Sequence, residues 1–202
     1  MSEKVYDQAY FDRWYRDPAQ RLLGPAELRR KIRLVLAVAE FHLGRPVGSV
    51  LDVGCGEGSW RAPLLRERPR LDYLGLDSSE YAVARYGRQR NLHRMGFGQL
   101  AEQRFSAPVD LLICADVLHY VSSAELLRGL SGLAEICGGM AYLELMTAED
   151  QFLGDQQGFH RRSASWYRKA FAKAGFIGCG NHCYLSPALR AEAMALEIWP
   201  NS

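Results

Sequence analysis

The chain has 202 residues, of which 48% are hydrophobic and 24% are charged, and its formal net charge is +2. This length and composition predict one ordinary globular domain and exclude both a disordered chain and a pair of large domains. The near-neutral charge gives no electrostatic footprint for nucleic acid, and no apolar run approaches the roughly 18–20 residues that span a bilayer. We therefore expect neither a nucleic-acid partner nor a membrane partner.

The five cysteines are an odd number and are widely scattered. Such a pattern is typical of reduced thiols and predicts a cytoplasmic location. Cys179 and Cys183 flank His182, but the second ligand pair that zinc sites show is missing. We interpret these residues as neighbours on strands and predict no metal site.

The amino-terminal part of the chain has the pattern of helices. Aromatic side chains over residues 5–16 recur at three- and four-residue spacing, which predicts a short amphipathic helix. A second helix is predicted over residues 26–43 and ends near Gly44. We expect residues 1–45 to form a helical cap on a domain of residues 46–202.

From residue 50 onward, short apolar strands alternate with helices. This alternation predicts an α/β fold with a seven-stranded, mostly parallel, Rossmann-like sheet and helices on both faces. No helical pattern separates the last two predicted strands, so we expect them to form an antiparallel C-terminal hairpin. The predicted strands are 50–53, 73–76, 97–100, 109–114, 140–146, 176–185 and 192–199, and the helices are 59–68, 78–91, 122–137 and 163–174.

A glycine-rich loop, Gly-Cys-Gly-Glu-Gly at residues 54–58, follows the first of these strands. Ligands of open α/β sheets lie beyond the carboxyl ends of strands, and glycine lets the backbone approach them closely. The dinucleotide fingerprint G-x-G-x-x-G places its last glycine three residues after the second, where Ser59 stands here. This spacing disfavours an NAD(P)-dependent oxidoreductase, and a phosphate-binding P-loop motif is missing.

The stretch VLDVGCGEG resembles motif I of the class I S-adenosylmethionine-dependent methyltransferases. Further segments resemble that family in the same order, and together they cover about residues 45–199. The resemblance implies a methyltransferase that uses S-adenosylmethionine as cofactor and releases S-adenosylhomocysteine. The further segments are residues 73–79, 109–121, 133–140 and 171–176.

The same resemblance implies a set of cofactor-binding residues. Asp77 is suited to the two ribose hydroxyls, and its alternative role is a helix N-cap. Asp52 either holds the glycine loop or faces the cationic end of the cofactor. The acid that commonly contacts adenine in this family is missing, so Gln99 or the backbone at Leu100 is expected to replace it. The full set is Asp52, Gly54, Cys55, Gly56, Gly58, Asp77, Ser78, Gln99, Leu100, Cys114 and Ala115.

The methyl acceptor is predicted to be a small molecule. Motifs for amino methylation of adenine or glutamine and for cytosine methylation are missing, and we expect no RNA-binding domain. His119 and His160 are candidates for a general base; their alternative roles are a packed histidine and a solvated loop histidine. Residues 1–24 and 147–162 are expected to bind the acceptor or cover it as a lid, with Tyr6, Tyr10, Trp14, Tyr15, Tyr120 and Arg161 as candidates.

Three other functions are compatible with these patterns. The acceptor is a protein side chain if the aromatic amino-terminal helix is a docking surface. The chain is a binding module if it holds the cofactor without an acceptor site, because motif I and Asp77 report only on the cofactor. An NAD(P)-dependent oxidoreductase is the third alternative. Adjacent Arg161 and Arg162 hint at an anionic acceptor.

Overall fold

The computed structural model describes residues 4–20, 23–151 and 154–195. Its centre is a seven-stranded sheet in the order β3-β2-β1-β4-β5-β7-β6. Strand β7 runs antiparallel to both of its neighbours, and the other pairings are parallel. The prediction of a mostly parallel Rossmann-like sheet is confirmed. The strands are β1 Ser49–Val53, β2 Asp72–Asp77, β3 Leu92–Arg94, β4 Val109–Ala115, β5 Cys137–Glu144, β6 Ile177–Gly180 and β7 Cys183–Leu185.

The helices begin and end where the sequence supplies caps. Serines 79, 122 and 163 each accept a hydrogen bond from the backbone N–H three residues ahead, and Gly44 ends a helix in the left-handed conformation. The helices are α1 Gln8–Phe11, α2 Pro25–Leu43, α3 Arg61–Glu67, α4 Glu80–Arg90, α5 Ser123–Ile136 and α6 Ala164–Lys173, with a π-helical turn at Asp12–Arg16 and 3₁₀ turns at Phe97–Glu102, Leu118–Tyr120 and Pro187–Glu192.

The sheet is buried on both faces, which explains the continuous apolar run of β4. Successive side chains of a strand point to opposite faces. Leu112 therefore packs in the core layer that contains residues of α5 and α6. Leu111 and Ile113 pack in the other layer, which contains Ile32 and Val35 of α2. The predicted cap helix α2 is thus part of the main core.

The third strand differs from its prediction over residues 97–100. The structure places β3 at Leu92–Arg94, directly after α4, because Asn91 ends that helix in the left-handed conformation with φ 55°. The apolar residues that suggested a strand form the 3₁₀ turn Phe97–Glu102 against α5. This packing is close: a Cβ on Gly129 would lie 2.6 Å from the Phe97 carbonyl oxygen.

The C-terminal hairpin is confirmed, but it lies within one of the two predicted strands. Residues 176–185 fold back on themselves as β6 and β7. Asn181 and His182, at the turn, both have positive φ, 50° and 61°, as a type I′ hairpin turn requires. The second predicted strand is absent over residues 192–195, and residues 196–199 lie outside the described residues.

Across the described ranges, no helix is long and apolar enough to cross a membrane.

Candidate active site

The glycine loop connects β1 to the turn before α3, and its three glycines all have positive φ. The angles are 71° at Gly54, 55° at Gly56 and 74° at Gly58. The N–H groups of Gly54 and Cys55 donate to the Leu76 carbonyl oxygen at 2.7 and 3.1 Å. The loop is therefore held against the carboxyl end of β2 in a conformation that favours glycine.

Substitution of Gly54 should cost far more stability than substitution of Gly56. A Cβ on Gly54 would overlap the Val117 side chain, whereas a Cβ on Gly56 would meet the ring tips of Tyr15 and Phe11 at 3.0 and 3.1 Å. We expect Gly54→Ala to lower the free energy of unfolding by about 2–4 kcal/mol and Gly56→Ala by about 1–2 kcal/mol. Urea unfolding of both variants checks this. Equal losses of unfolding free energy in the two variants would contradict the difference in free space around Gly54 and Gly56.

Asp77 ends β2 with its carboxylate directed at the glycine loop. Its two oxygens accept hydrogen bonds from the N–H groups of Gly56 at 2.6 Å and Ser79 at 2.7 Å. Burial raises the pKa of Asp77, and these two hydrogen bonds oppose that shift. Ser79 caps α4, while Ser78 is exposed. Asp77 is thus an oriented carboxylate at the place where the sequence predicted the ribose-binding acid.

Asp52 accepts a hydrogen bond from the Tyr73 hydroxyl at 2.7 Å inside the sheet. It is buried, and that burial raises its pKa to about 7. The hydrogen bond from Tyr73 favours a structural role for Asp52, which is to hold the strands and the loop in place. The other alternative, contact with the cationic end of the cofactor, stays a prediction.

Two residues expected near adenine follow β3, and their contact with adenine stays a prediction. Leu100 is buried in the core, and the Gln99 side chain accepts a hydrogen bond from the Gly96 N–H at 2.7 Å. The expectation depended on a strand at 97–100, which the structure replaces with a 3₁₀ turn. Cys114 is also buried in the core, and the next residue, Ala115, lines a cavity.

The aromatic amino-terminal segment packs on the glycine loop. Besides the contacts of Phe11 and Tyr15 with Gly56, the Ser79 hydroxyl donates to the Tyr6 carbonyl oxygen at 2.6 Å. Burial and the carboxylates of Asp77, Asp116 and Asp52 raise the pKa of Tyr15. Its phenol therefore lies among the acids of the site. Movement of this side chain is needed to free the space over Gly56.

Lys4 joins this segment to the loop that contains Asp155. Its ammonium lies 2.9 Å from the Asp155 carboxylate and 3.5 Å from the centre of the Tyr120 ring. The Tyr120 hydroxyl donates to the Asp155 carbonyl oxygen at 2.7 Å. The two segments that were predicted to cover the site are thus in contact with each other.

A cavity of about 420 Å³ opens beside the glycine loop, between the N-terminal segment and the carboxyl ends of β4 and β5. Strand order reverses between β1 and β4, where α/β sheets bind ligands, and the size suits a small molecule. Of the predicted residues, the cavity brings together Tyr10, Trp14, Tyr15, Ala115, His119 and Tyr120.

His119 is buried in the wall of this cavity. Its Nδ1 accepts a hydrogen bond from the Met146 N–H at 3.3 Å. Burial, Lys4 and Arg162 lower the pKa of His119 to about 4. The imidazole is therefore neutral at pH 7, and its Nδ1 lone pair is engaged, which favours a packing role over that of a general base.

The predicted residues His160 and Arg161 are exposed and do not line this cavity. The backbone N–H of His160 donates to the His119 carbonyl oxygen at 2.8 Å, so only its main chain supports the wall. Arg162 points inward and donates to the carbonyl oxygens of Leu118 and Val121. The arginine pair therefore gives no anion-binding group to this cavity.

Several lining residues were missed in the sequence. Asp116 and Glu144 stand at the ends of β4 and β5, where a polar residue after a buried strand is a usable signal. Lys31 donates to both carboxylate oxygens of Glu144 at 2.7 Å, a contact between residues 113 apart. No local pattern predicts that pair. Trp60, Arg29, Arg66 and Asp155 complete the missed residues that bear aromatic or charged groups.

Comparison with known proteins gives one consistent assignment. A family described as a methyltransferase domain matches residues 51–139. A trans-aconitate 2-methyltransferase from Deinococcus radiodurans is 38% identical over 77 residues, which are 38% of this chain and 30% of that protein. The match therefore spans less than a third of that relative's length.

Solved structures share the fold. A sugar N-methyltransferase from Streptoalloteichus is similar with a TM-score of 0.65 and 18% identity, over 92% of this chain and 94% of that one. A magnesium protoporphyrin IX methyltransferase from Synechocystis, with bound SAH, is similar with a TM-score of 0.61 and 18% identity, over 90% and 96% of the two chains.

The sheet order and glycine loop define a Rossmann-like domain with a ligand site at its topological switch point. The matches add a methyltransferase-domain family over residues 51–139 and show that the chain shares the fold of solved methyltransferases.

Proposed function

We propose that the protein transfers a methyl group from S-adenosylmethionine to a small molecule. The observation that carries this proposal is the position of the cavity: it adjoins the glycine loop and also has charged and aromatic walls of its own. A cofactor on the loop and an acceptor in the cavity would thus be adjacent. The acceptors named for the similar proteins differ from one another, so the acceptor has to be inferred from the cavity itself.

The residues of the loop fit the cofactor. Gly56 presents a surface without a Cβ, beside the ring tips of Tyr15 and Phe11. The Asp77 carboxylate is held by two backbone N–H groups and can accept the hydrogen bonds of a vicinal diol. Bound there, S-adenosylmethionine supplies an activated methyl group on a sulfonium. The remaining task of the chain is alignment of the acceptor and exclusion of water.

A cavity that is partly covered by side chains supports a small acceptor better than a macromolecule. Tyr10, Trp14 and Tyr15 cover it from the N-terminal segment, and the contact of Lys4 with Asp155 holds that segment to the opposite loop. A protein side chain would have to pass between them. The cytoplasmic location stays a prediction from the cysteine pattern.

Calorimetric titration tests the cofactor. We expect S-adenosylmethionine and S-adenosylhomocysteine to bind and NADH not to bind, because the glycine spacing differs from the dinucleotide fingerprint. Binding of NADH alone would contradict the proposal. Incubation with ¹³C-methyl-labelled S-adenosylmethionine and a deproteinised metabolite extract then tests transfer. Cofactor binding without any labelled product would make the chain a binding module.

A further inference from the structure

The charges in the cavity are unequally compensated. Glu144 is paired with Lys31 at 2.7 Å, and Asp155 is paired with Lys4 at 2.9 Å. Asp116 also lines the cavity, but no hydrogen bond or ion pair to its carboxylate joins it to the described residues. The cavity therefore has one carboxylate without an ion-pair partner among the described residues. That residue, Asp116, is exposed, as are Arg29 and Arg66 of the same lining.

The backbone holds Asp116 in this position. It follows β4 with φ 60°, a left-handed conformation that is uncommon outside glycine, and its N–H donates to the Glu144 carbonyl oxygen at 2.9 Å. The groups that act on it electrostatically come from four elements: Glu144 and Tyr142 on β5, Lys31 on α2, Tyr15 on the N-terminal segment and Tyr120 on the 3₁₀ turn. Desolvation in the cavity and Glu144 raise the pKa of Asp116 to about 6, and Lys31 opposes the shift. The carboxylate form of Asp116 therefore predominates as the pH rises above about 6.

We propose that the methyl acceptor is an amine and that Asp116 binds the nitrogen that is methylated; this rests on the proposed function. The neutral amine donates an N–H hydrogen bond to the carboxylate, which directs its lone pair at the methyl group. The lone pair forms the N–C bond while the C–S electron pair leaves with sulfur. The positive charge thereby moves from sulfur to nitrogen, beside Asp116, and the product leaves as a methylammonium ion.

The other acceptor classes fit this cavity less well. A carboxylate or a thiolate would be repelled by Asp116. Because Lys31 is engaged by Glu144, a compensating cation would have to come from the exposed Arg29 and Arg66. An alcohol must lose a proton of far higher pKa than that of the Asp116 carboxyl group, and the Nδ1 of His119 already accepts a hydrogen bond from the Met146 N–H. An amine needs no base on the enzyme. The aromatic rings of Trp14 and Trp60 also favour a developing cation.

The test compares wild type, Asp116→Asn and Glu144→Gln. The probe is ¹³C-methyl-labelled S-adenosylmethionine with a deproteinised metabolite extract of the source organism, and the carbon shift of the new methyl group separates N-, O- and S-methyl products. We expect an N-methyl product, formed about 100-fold more slowly by Asp116→Asn, as is typical when a charged group at the reacting atom is lost. Calorimetry should show less than about a 3-fold change in S-adenosylhomocysteine affinity in that variant.

The pH profile adds a second readout. Deprotonation of the amine makes the rate rise with pH in every variant. The wild-type rate should show an additional rise as the pH increases through about 6, because Asp116 loses its proton and gains its negative charge over that range. Asp116→Asn should lose that additional rise. Glu144→Gln, which removes another carboxylate of the same cavity, should keep the rise at a lower pH, because Glu144 raises the pKa of Asp116.

Any outcome that differs from these expectations contradicts the proposal in a recognisable way. An O- or S-methyl product, or an unchanged rate in Asp116→Asn, overturns the amine assignment and leaves methyl transfer intact. A loss of S-adenosylhomocysteine affinity equal to the loss of rate would show that Asp116 holds the cofactor's own ammonium group instead. Failure of the wild type to bind the cofactor would overturn the proposed function and the amine assignment together.

Discussion

Replacement of Asp77 by alanine is expected to weaken S-adenosylmethionine binding by at least about 100-fold. The carboxylate lies at the carboxyl end of β2, held by the N–H groups of Gly56 and Ser79. Two hydrogen bonds from a diol to a charged group contribute about 1.5–3 kcal/mol each, and every 1.4 kcal/mol is a tenfold change in affinity. Calorimetric titration of the variant measures the loss.

Two further variants separate cofactor recognition from folding. Asp77→Asn keeps the shape and one carbonyl acceptor, so it should remain folded and still bind poorly. Asp72→Ala removes an exposed carboxylate from the other end of the same strand and should bind like the wild type. Tight binding by Asp77→Asn and Asp77→Ala would show that the carboxylate does not contact the cofactor.

Replacement of Arg162 by alanine is expected to lower the free energy of unfolding by about 3 kcal/mol, although the residue lies outside the cavity lining. Its guanidinium donates to the Leu118 and Val121 carbonyl oxygens, to the Tyr167 hydroxyl at 2.9 Å and to the Ser123 hydroxyl at 3.0 Å. Alanine would leave the two buried carbonyl oxygens and the buried Tyr167 hydroxyl without this donor. For a chain of this size, the melting temperature should fall by roughly 6–12 °C.

The neighbouring residue is the matched control. Arg161 is exposed, and Arg161→Ala should change the melting temperature by less than about 2 °C. Because Arg162 supports the turn that contains His119 and Tyr120, its loss should also weaken acceptor turnover. Equal stability of the two variants, measured by thermal unfolding, would contradict the structural role of Arg162.

The same arginine pair shows where sequence reasoning is limited. Adjacent residues have similar local patterns, but one side chain points outward and the other is buried among carbonyl groups. The third strand is a second example. Phe97 and Leu100 have the hydrophobicity of a strand, and close packing against Gly129 and Gly132 places them in a 3₁₀ turn instead.

The sequence by itself determined the α/β alternation, the glycine loop and Asp77, because each depends on spacing within a short stretch and on the backbone freedom of glycine. Tertiary structure alone decided what the cavity can bind. Lys31 neutralises Glu144 across 113 residues of chain, while Asp116 is left without a cation partner among the described residues. Such compensation depends on where side chains point and on contacts between residues that are far apart in the chain. Short-range sequence patterns predict neither.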